Sequence, residues 1–272
     1  IYWNNSIIGR LTAGKDYLSP NLELIVDDIL EKNQKQKLLD FMSKWLKNKI
    51  GSVLKSLLDL KNIKEKNTST KALAYQLYEN NGVIKREQVT EYLDKLDQNE
   101  RKILRNLGVK FGRYHIFLYK LIKPDAVSLR TLLWKNYHQK YYNLRPPTFG
   151  LNFLNNKDFK SKNFMLLCGF EKFDNFYVRI DILERLFIQI FNSNNNAENK
   201  KMIKMVPEMI NLLGCSKENF KKLLVMMNYK IFEKNNDIFF KYNPIKKNKK
   251  FFVKKTNKDS PFIILKDLNL NR

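Results

Sequence analysis

Hydrophobic and polar positions divide this chain into a strand-like opening, a helical middle and a mixed end. Ile1-Tyr2-Trp3, the turn Asn4-Asn5-Ser6 and residues 7–11 predict a hairpin, and residues 22–26 predict a third strand. A long helix is predicted over 29–60, capped by Asp27 or Asp28. Its apolar positions (Leu38, Leu39, Met42, Trp45, Leu46, Ile50, Val53, Leu54, Leu57 and Leu58) recur at steps of three and four, and lysines fill the other face. Ser69 or Thr70 stands where a cap belongs for a helix through 72–77 that Gly82 ends. Helices over 87–96 and 99–107 follow, the second opened by Asp97 with Glu100 three residues on, a capping-box spacing.

The stretch 104–134 organises the middle of the chain. Gly108 sits where a helix C′ residue with positive φ belongs. Val109, Phe111, Ile116, Phe117 and Leu118 are apolar, with Lys110, Arg113 and His115 between them. Pro124 starts a new helix through Leu129, Leu132, Leu133 and Trp134. This composition fits a packed core with a basic rim, or a nucleic-acid contact built on that rim.

From 143 the pattern changes. Arg145-Pro146-Pro147, Gly150 and Asn155-Asn156 mark an extended crossing. Strands are predicted over 164–170 and 173–178 around Glu171-Lys172, then a helix over 179–191 and a loop over 192–196. A short helix over 206–213 ends at Gly214, and Ser216 caps another over 218–227 with Phe220, Leu223, Leu224 and Met227 inward. A hairpin over 229–232 and 238–242 follows. Helix, turn, helix, hairpin is the order of a winged helix. The expected fold class is therefore mainly α: a helical bundle with an N-terminal β-hairpin, then a small α+β winged-helix-like domain. The expected divisions are a hairpin segment at 1–27, the bundle at 28–142, a linker at 143–163, the winged-helix-like domain at 164–243 and a basic tail at 244–272.

Charge adds a partner class. The 272 residues carry 51 Lys+Arg against 27 Asp+Glu, a formal +24, and a field of that size favours polyanions. The chain is also rich in Asn, Ile and Lys, so a biased base composition is a second reading of the charge. Seven lysines lie in residues 246–258, interleaved with Phe251 and Phe252, and like charges at that density resist folding. No apolar run approaches the roughly 20 residues of a membrane span, and the amphipathic helices read as bundle helices with broad apolar faces, so no membrane partner is expected. No signal peptide opens the sequence, and a cytoplasmic location is expected. Because the first residue is Ile1, the chain is expected to be a piece of a longer polypeptide. Cys168 and Cys215 each sit in an apolar run and read as buried structural thiols, with a single disulfide as the alternative.

No constellation for catalysis is present. His115 and His138 lack metal partners at helical spacing. Asp181 and Glu184 sit at a helix start, where carboxylates answer the helix dipole. Gly14-Lys15 lacks the rest of a phosphate-binding loop. Catalytic, cofactor and metal residues are therefore expected to be none. For binding, Lys110, Arg113 and Arg130 are the candidates to neutralise phosphates, with Tyr114 or His115 stacking on a base. In the tail, Lys249 and Lys250 would follow the backbone while Phe251 and Phe252 stack.

Gly108-Val109-Lys110-Phe111-Gly112-Arg113-Tyr114-His115-Ile116-Phe117-Leu118, followed by Leu121-Ile122-Lys123-Pro124 and Leu129-Arg130-Thr131-Leu132-Leu133-Trp134, resembles a C-terminal motif of alphaproteobacterial superfamily 2 helicases similar to the RNA helicase of the mitochondrial degradosome. Val178-Arg179-Ile180-Asp181-Ile182-Leu183-Glu184-Arg185-Leu186 resembles a second block. Pro207-Glu208-Met209 with Leu213-Gly214-Cys215-Ser216 resembles a third. Trp3 with Gly9-Arg10-Leu11 and Gly14 is similar to the block just after the motor. The resemblance implies an accessory region downstream of two RecA-like domains, which would hold ATP and Mg; neither motor motif is in this chain. It implies single-stranded nucleic acid as partner, RNA favoured, with the chain's own helicase motor and a nuclease as further candidates. The alternative expectation is a protein-interaction scaffold docking on a motor or nuclease.

Overall fold

In the computed structural model, residues 1–3, 5–25, 30–63, 67–155, 161–196, 202–234 and 237–243 are described. The chain opens with strands, as expected. β1 (Tyr2–Trp3) and β2 (Ser6–Ile7) pair antiparallel, with Asn5 turning between them at φ 65°. β3 (Gly9–Thr12) pairs with β4 (Asn21–Leu24), so the third expected strand belongs to a second hairpin. A Cβ on Gly14 would lie 1.9 Å from the Ser19 carbonyl oxygen, so the loop between these strands closes only on glycine.

Two helices, α1 (Lys32–Val53) and α2 (Lys55–Lys61), replace the single helix expected over 29–60. The break falls at Leu54 (φ −101°, ψ 19°), just after Gly51-Ser52 and β-branched Val53. A Gly/Ser pair is a usual place for a helix to kink. The kink leaves Leu54, Leu57 and Leu60 in the same core as Leu46 and Ile50. The expected caps Asp27 and Asp28 lie outside the described residues. α3 (Thr68–Glu79) begins at Asn67, whose side-chain oxygen accepts from the Ser69 and Thr70 amides at 2.7 and 3.3 Å. Ser69 and Thr70, expected as caps, thus lie in the first turn.

Residues 28–142 are not an all-helical bundle. β5 (Val83–Lys85), a 3₁₀ turn (Arg86–Val89), α4 (Thr90–Asp94) and α5 (Gln98–Asn106) lead into β6 (Val109–Phe111) and β7 (His115–Leu118). The three strands form a sheet with β7 in the centre, pairing Lys85 with His115 and Phe111 with Ile116. All four β7 residues are buried. Ile116 and Leu118 join the first core, while Phe117 packs with Val83 and with Ile180 from the second half. A strand covered on both faces has no polar alternation, so its sequence hides it. The α5 capping box forms as expected, with Glu100 N–H donating to Asp97 at 2.7 Å and Asp97 N–H to Glu100 at 2.9 Å. Gly108 (φ 94°) ends that helix, and Pro124 opens α6 (Pro124–Tyr137).

The second half holds β8 (Phe153–Asn155), α7 (Lys162–Leu167), β9 (Phe170–Phe173) and β10 (Phe176–Arg179), with β10 between β8 and β9. The strand expected over 164–170 is thus helix α7, held at its start by Ser161 Oγ, which accepts from the Phe164 amide. The turn falls at Asp174-Asn175, not Glu171-Lys172. α8 (Ile180–Asn196) runs through the expected loop at 192–196. β11 (Ile203–Lys204), α9 (Pro207–Leu213), α10 (Lys217–Met226), β12 (Tyr229–Lys234) and β13 (Asp237–Tyr242) complete it, with β13 between β11 and β12. Gly214 (φ 68°) and Ser216 end and start their helices as expected.

With ten α-helices and five small antiparallel sheets among the described residues, the fold is mixed α+β; the expectation of a mainly α chain foresaw the N-terminal and C-terminal hairpins but missed the β5–β7 sheet in the middle of the chain. No described helix is long and apolar enough to cross a membrane. Cys168 and Cys215 are free thiols, and burial pushes the pKa of Cys168 up to about 12.

Candidate nucleic-acid interface

One carboxylate holds the backbone of the β6–β7 turn, Gly112-Arg113-Tyr114. Glu184 of α8 accepts the amides of Arg113, Tyr114 (3.0 Å) and His115 (2.8 Å). A Cβ on Gly112 would stand 2.4 Å from the Glu184 carboxyl carbon, so glycine is required there. Arg86 grips the other side: its guanidinium donates to the Gly112 carbonyl at 3.0 Å and its amide to the Tyr114 carbonyl at 2.8 Å.

Beneath the turn the His115 ring is buried between two buried glutamates. Nδ1 lies 3.2 Å from Glu184 and Nε2 lies 3.3 Å from Glu171, which also meets Lys85 Nζ at 2.9 Å. Both ring nitrogens face carboxylate oxygens, and only the imidazolium donates from both. Burial pulls the His115 pKa down. Hydrogen bonds and charge from Glu171 and Glu184 more than offset that pull and hold it above the ordinary value. Burial likewise pushes the Glu171 pKa up, but His115 and Lys85 bring it below the usual carboxylate range.

A raised folded-state pKa makes stability fall as pH rises. The His115 contribution is full below the unfolded value of about 6.5 and is lost as pH climbs through the higher folded value. Urea midpoints of the wild type and of His115→Gln, measured from about pH 6 upward, are expected to converge with rising pH. A gap that widens with pH would contradict the charged bridge.

Above the turn lies a groove of about 800 Å³ between the two halves. Arg86, Arg113 and Lys241 line it with positive charge. Phe111, Tyr114, Tyr229 and Tyr242 line it with rings, and Phe187, Ile188 and Phe191 form an apolar wall. Tyr114 packs on Phe187 with centroids 4.2 Å apart, and the Arg113 guanidinium lies 6.0 Å from the Tyr242 ring. No carboxylate lines the groove among the described residues. No family model, no curated protein and no solved structure matches this chain.

The candidate residues separate cleanly. Arg113 and Tyr114 line the groove; Lys110 is exposed on β6 but does not line it. His115 is only 3% exposed and cannot stack on a base; it supports the turn from below. Arg130 is fully buried and out of reach of a phosphate. Its guanidinium donates to the carbonyls of Asn81 (2.8 Å), Leu121 (2.6 Å) and Leu167 (2.8 Å). Burial lowers its pKa to about 10, so it stays charged at neutral pH. Lys249, Lys250, Phe251 and Phe252 lie outside the described residues. Glu184 does more than answer a helix dipole, while its neighbour Asp181 pairs with Arg179 at 2.7 Å. Arg86, Tyr229, Lys241 and Tyr242 have no local sequence signal; only the fold brings them to the turn. Among the described residues no group of three or more His, Cys, Asp or Glu side chains could hold a metal ion.

Proposed function

We propose that this chain is the C-terminal accessory region of an ATP-dependent RNA or DNA helicase, and that it guides single-stranded nucleic acid, RNA favoured, through the groove above the β6–β7 turn. ATP and Mg would act in the motor domains of the parent protein, and no catalytic role is assigned to this chain. One observation carries the reading: the basic turn of the first half and the ring-bearing hairpin of the second meet in one groove that, among the described residues, has no lining carboxylate. Cations neutralise phosphates and exposed rings stack on bases, which is how single strands are held without sequence preference. The order helix, strand, helix, helix and hairpin over α8–β13 supports a winged-helix reading of that module.

Affinity of the full chain for a labelled oligouridylate, measured across salt, tests the proposal. Arg113→Ala and Lys241→Ala are each expected to flatten the log–log salt slope by about 0.7, the share of one single-strand phosphate. Tyr242→Ala is expected to weaken binding roughly 10-fold with little change in slope. Weak, salt-independent binding, or wild-type behaviour in all three variants, counts against the groove.

A second reading, a scaffold docking on a helicase motor or a nuclease, is favoured by α1. Phe41 and Trp45, one helical turn apart, are 53% and 49% exposed. Such rings on one face are typical of protein interfaces.

A further inference from the structure

Residues 126–157 contain no Asp or Glu, a 32-residue gap in a chain with 27 acidic residues. The middle of that gap forms a surface at the end of α6. Buried Trp134 stacks on Tyr141 with centroids 5.0 Å apart and planes 20° apart, and it also meets Phe164 of α7. This anchors the segment after the helix onto the core. Around the anchor, Lys140 Nζ sits 4.8 Å over the Tyr141 ring, and Lys135 Nζ lies 5.8 Å from Tyr142. Tyr142 is 68% exposed and Tyr137 is 39% exposed. A shallow cavity of about 500 Å³ runs from Lys140 and Tyr141 to Lys162 on α7.

None of the ion pairs among the described residues involves Lys135, Lys140, Arg145 or Lys162. The helix dipole accounts for a cation in the last turn of α6, but its effect fades within a turn and does not reach Arg145 or Lys162. Compositional bias explains lysines; it does not place them beside exposed tyrosines on a segment without acids. Burial lowers the His138 pKa, and the charge of Lys140 lowers it further. Cavity and groove share no lining residue.

We propose that this face is a second contact for single-stranded nucleic acid, with Tyr142 and Tyr137 stacking on bases while Lys135, Lys140 and Lys162 neutralise phosphates. It rests on the nucleic-acid reading of the chain, and it needs no contact in the groove.

Binding of a labelled oligouridylate to the full chain, with photo-cross-linking from 4-thiouridine, tests it. The Lys140→Glu, Lys162→Glu double variant is expected to flatten the salt slope by about 1.4, two single-strand phosphates. Tyr142→Ala is expected to lose roughly 10-fold in affinity and its cross-link. Thermal unfolding checks that both variants fold. Full affinity in the folded variants, with Arg113→Glu alone abolishing binding, overturns the second contact and leaves the groove standing. Loss in these variants with Arg113→Glu and Lys241→Glu unaffected keeps the second contact and overturns the groove. No binding to the oligonucleotide, or capture by anionic phosphatidylserine vesicles in its place, overturns both.

Discussion

Glu184→Ala is expected to lower the stability of the chain by roughly 3–5 kcal/mol, the cost of breaking a buried pair by removing one partner. The carboxylate serves three turn amides and one buried imidazolium at once. Its removal leaves three N–H groups without an acceptor and His115 with one of its two counter-charges. For a chain of this size that corresponds to a fall in Tm of about 5–9 °C. Glu184→Gln keeps an acceptor oxygen but loses the charge, and charge-assisted bonds are about twice as strong as neutral ones, so roughly half the loss is expected. Both variants are expected to weaken oligonucleotide binding at temperatures where they remain folded, because the Arg113 and Tyr114 backbone is no longer held. Thermal unfolding and binding measured together check this. An alanine variant with unchanged Tm would mean the carboxylate does not fix the turn.

Arg130→Met is expected to cost a similar amount, roughly 3–5 kcal/mol, through the opposite kind of site. Here a buried cation satisfies three carbonyls from three separate segments: Asn81 after α3, Leu121 before α6 and Leu167 at the end of α7. Methionine fills much of the volume but donates nothing. Arg130→Lys is expected to fall between, since one ammonium cannot reproduce the planar fork. Oligonucleotide affinity of the folded Arg130→Met protein is expected to equal that of the wild type. A variant with normal unfolding and weakened binding would return Arg130 to the phosphate-binding surface.

These two residues show where the sequence could be read and where it could not. Local chemistry was legible: the Asp97/Glu100 box, Pro124 opening α6, Gly214 with Ser216, and the 229–242 hairpin all act over a few residues. Burial of a charge has no such local mark. Glu184 meets His115 across 69 residues, and Arg130 meets Asn81 across 49. In sequence, Arg113 and Arg130 look alike, yet one lines the groove and the other is sealed in the core. The β5–β7 sheet escaped for another reason. Its strands are three or four residues long, and its central one is covered on both faces, so period two never appears. The groove itself, with Lys241 and Tyr242 opposite Arg113, is a product of tertiary packing alone.

Amide hydrogen exchange of the full chain, with and without a saturating single-stranded oligonucleotide, tests the groove most directly. Slowed exchange is predicted at 111–114 and along β12 and β13. A bound oligonucleotide that leaves both stretches unchanged would contradict it.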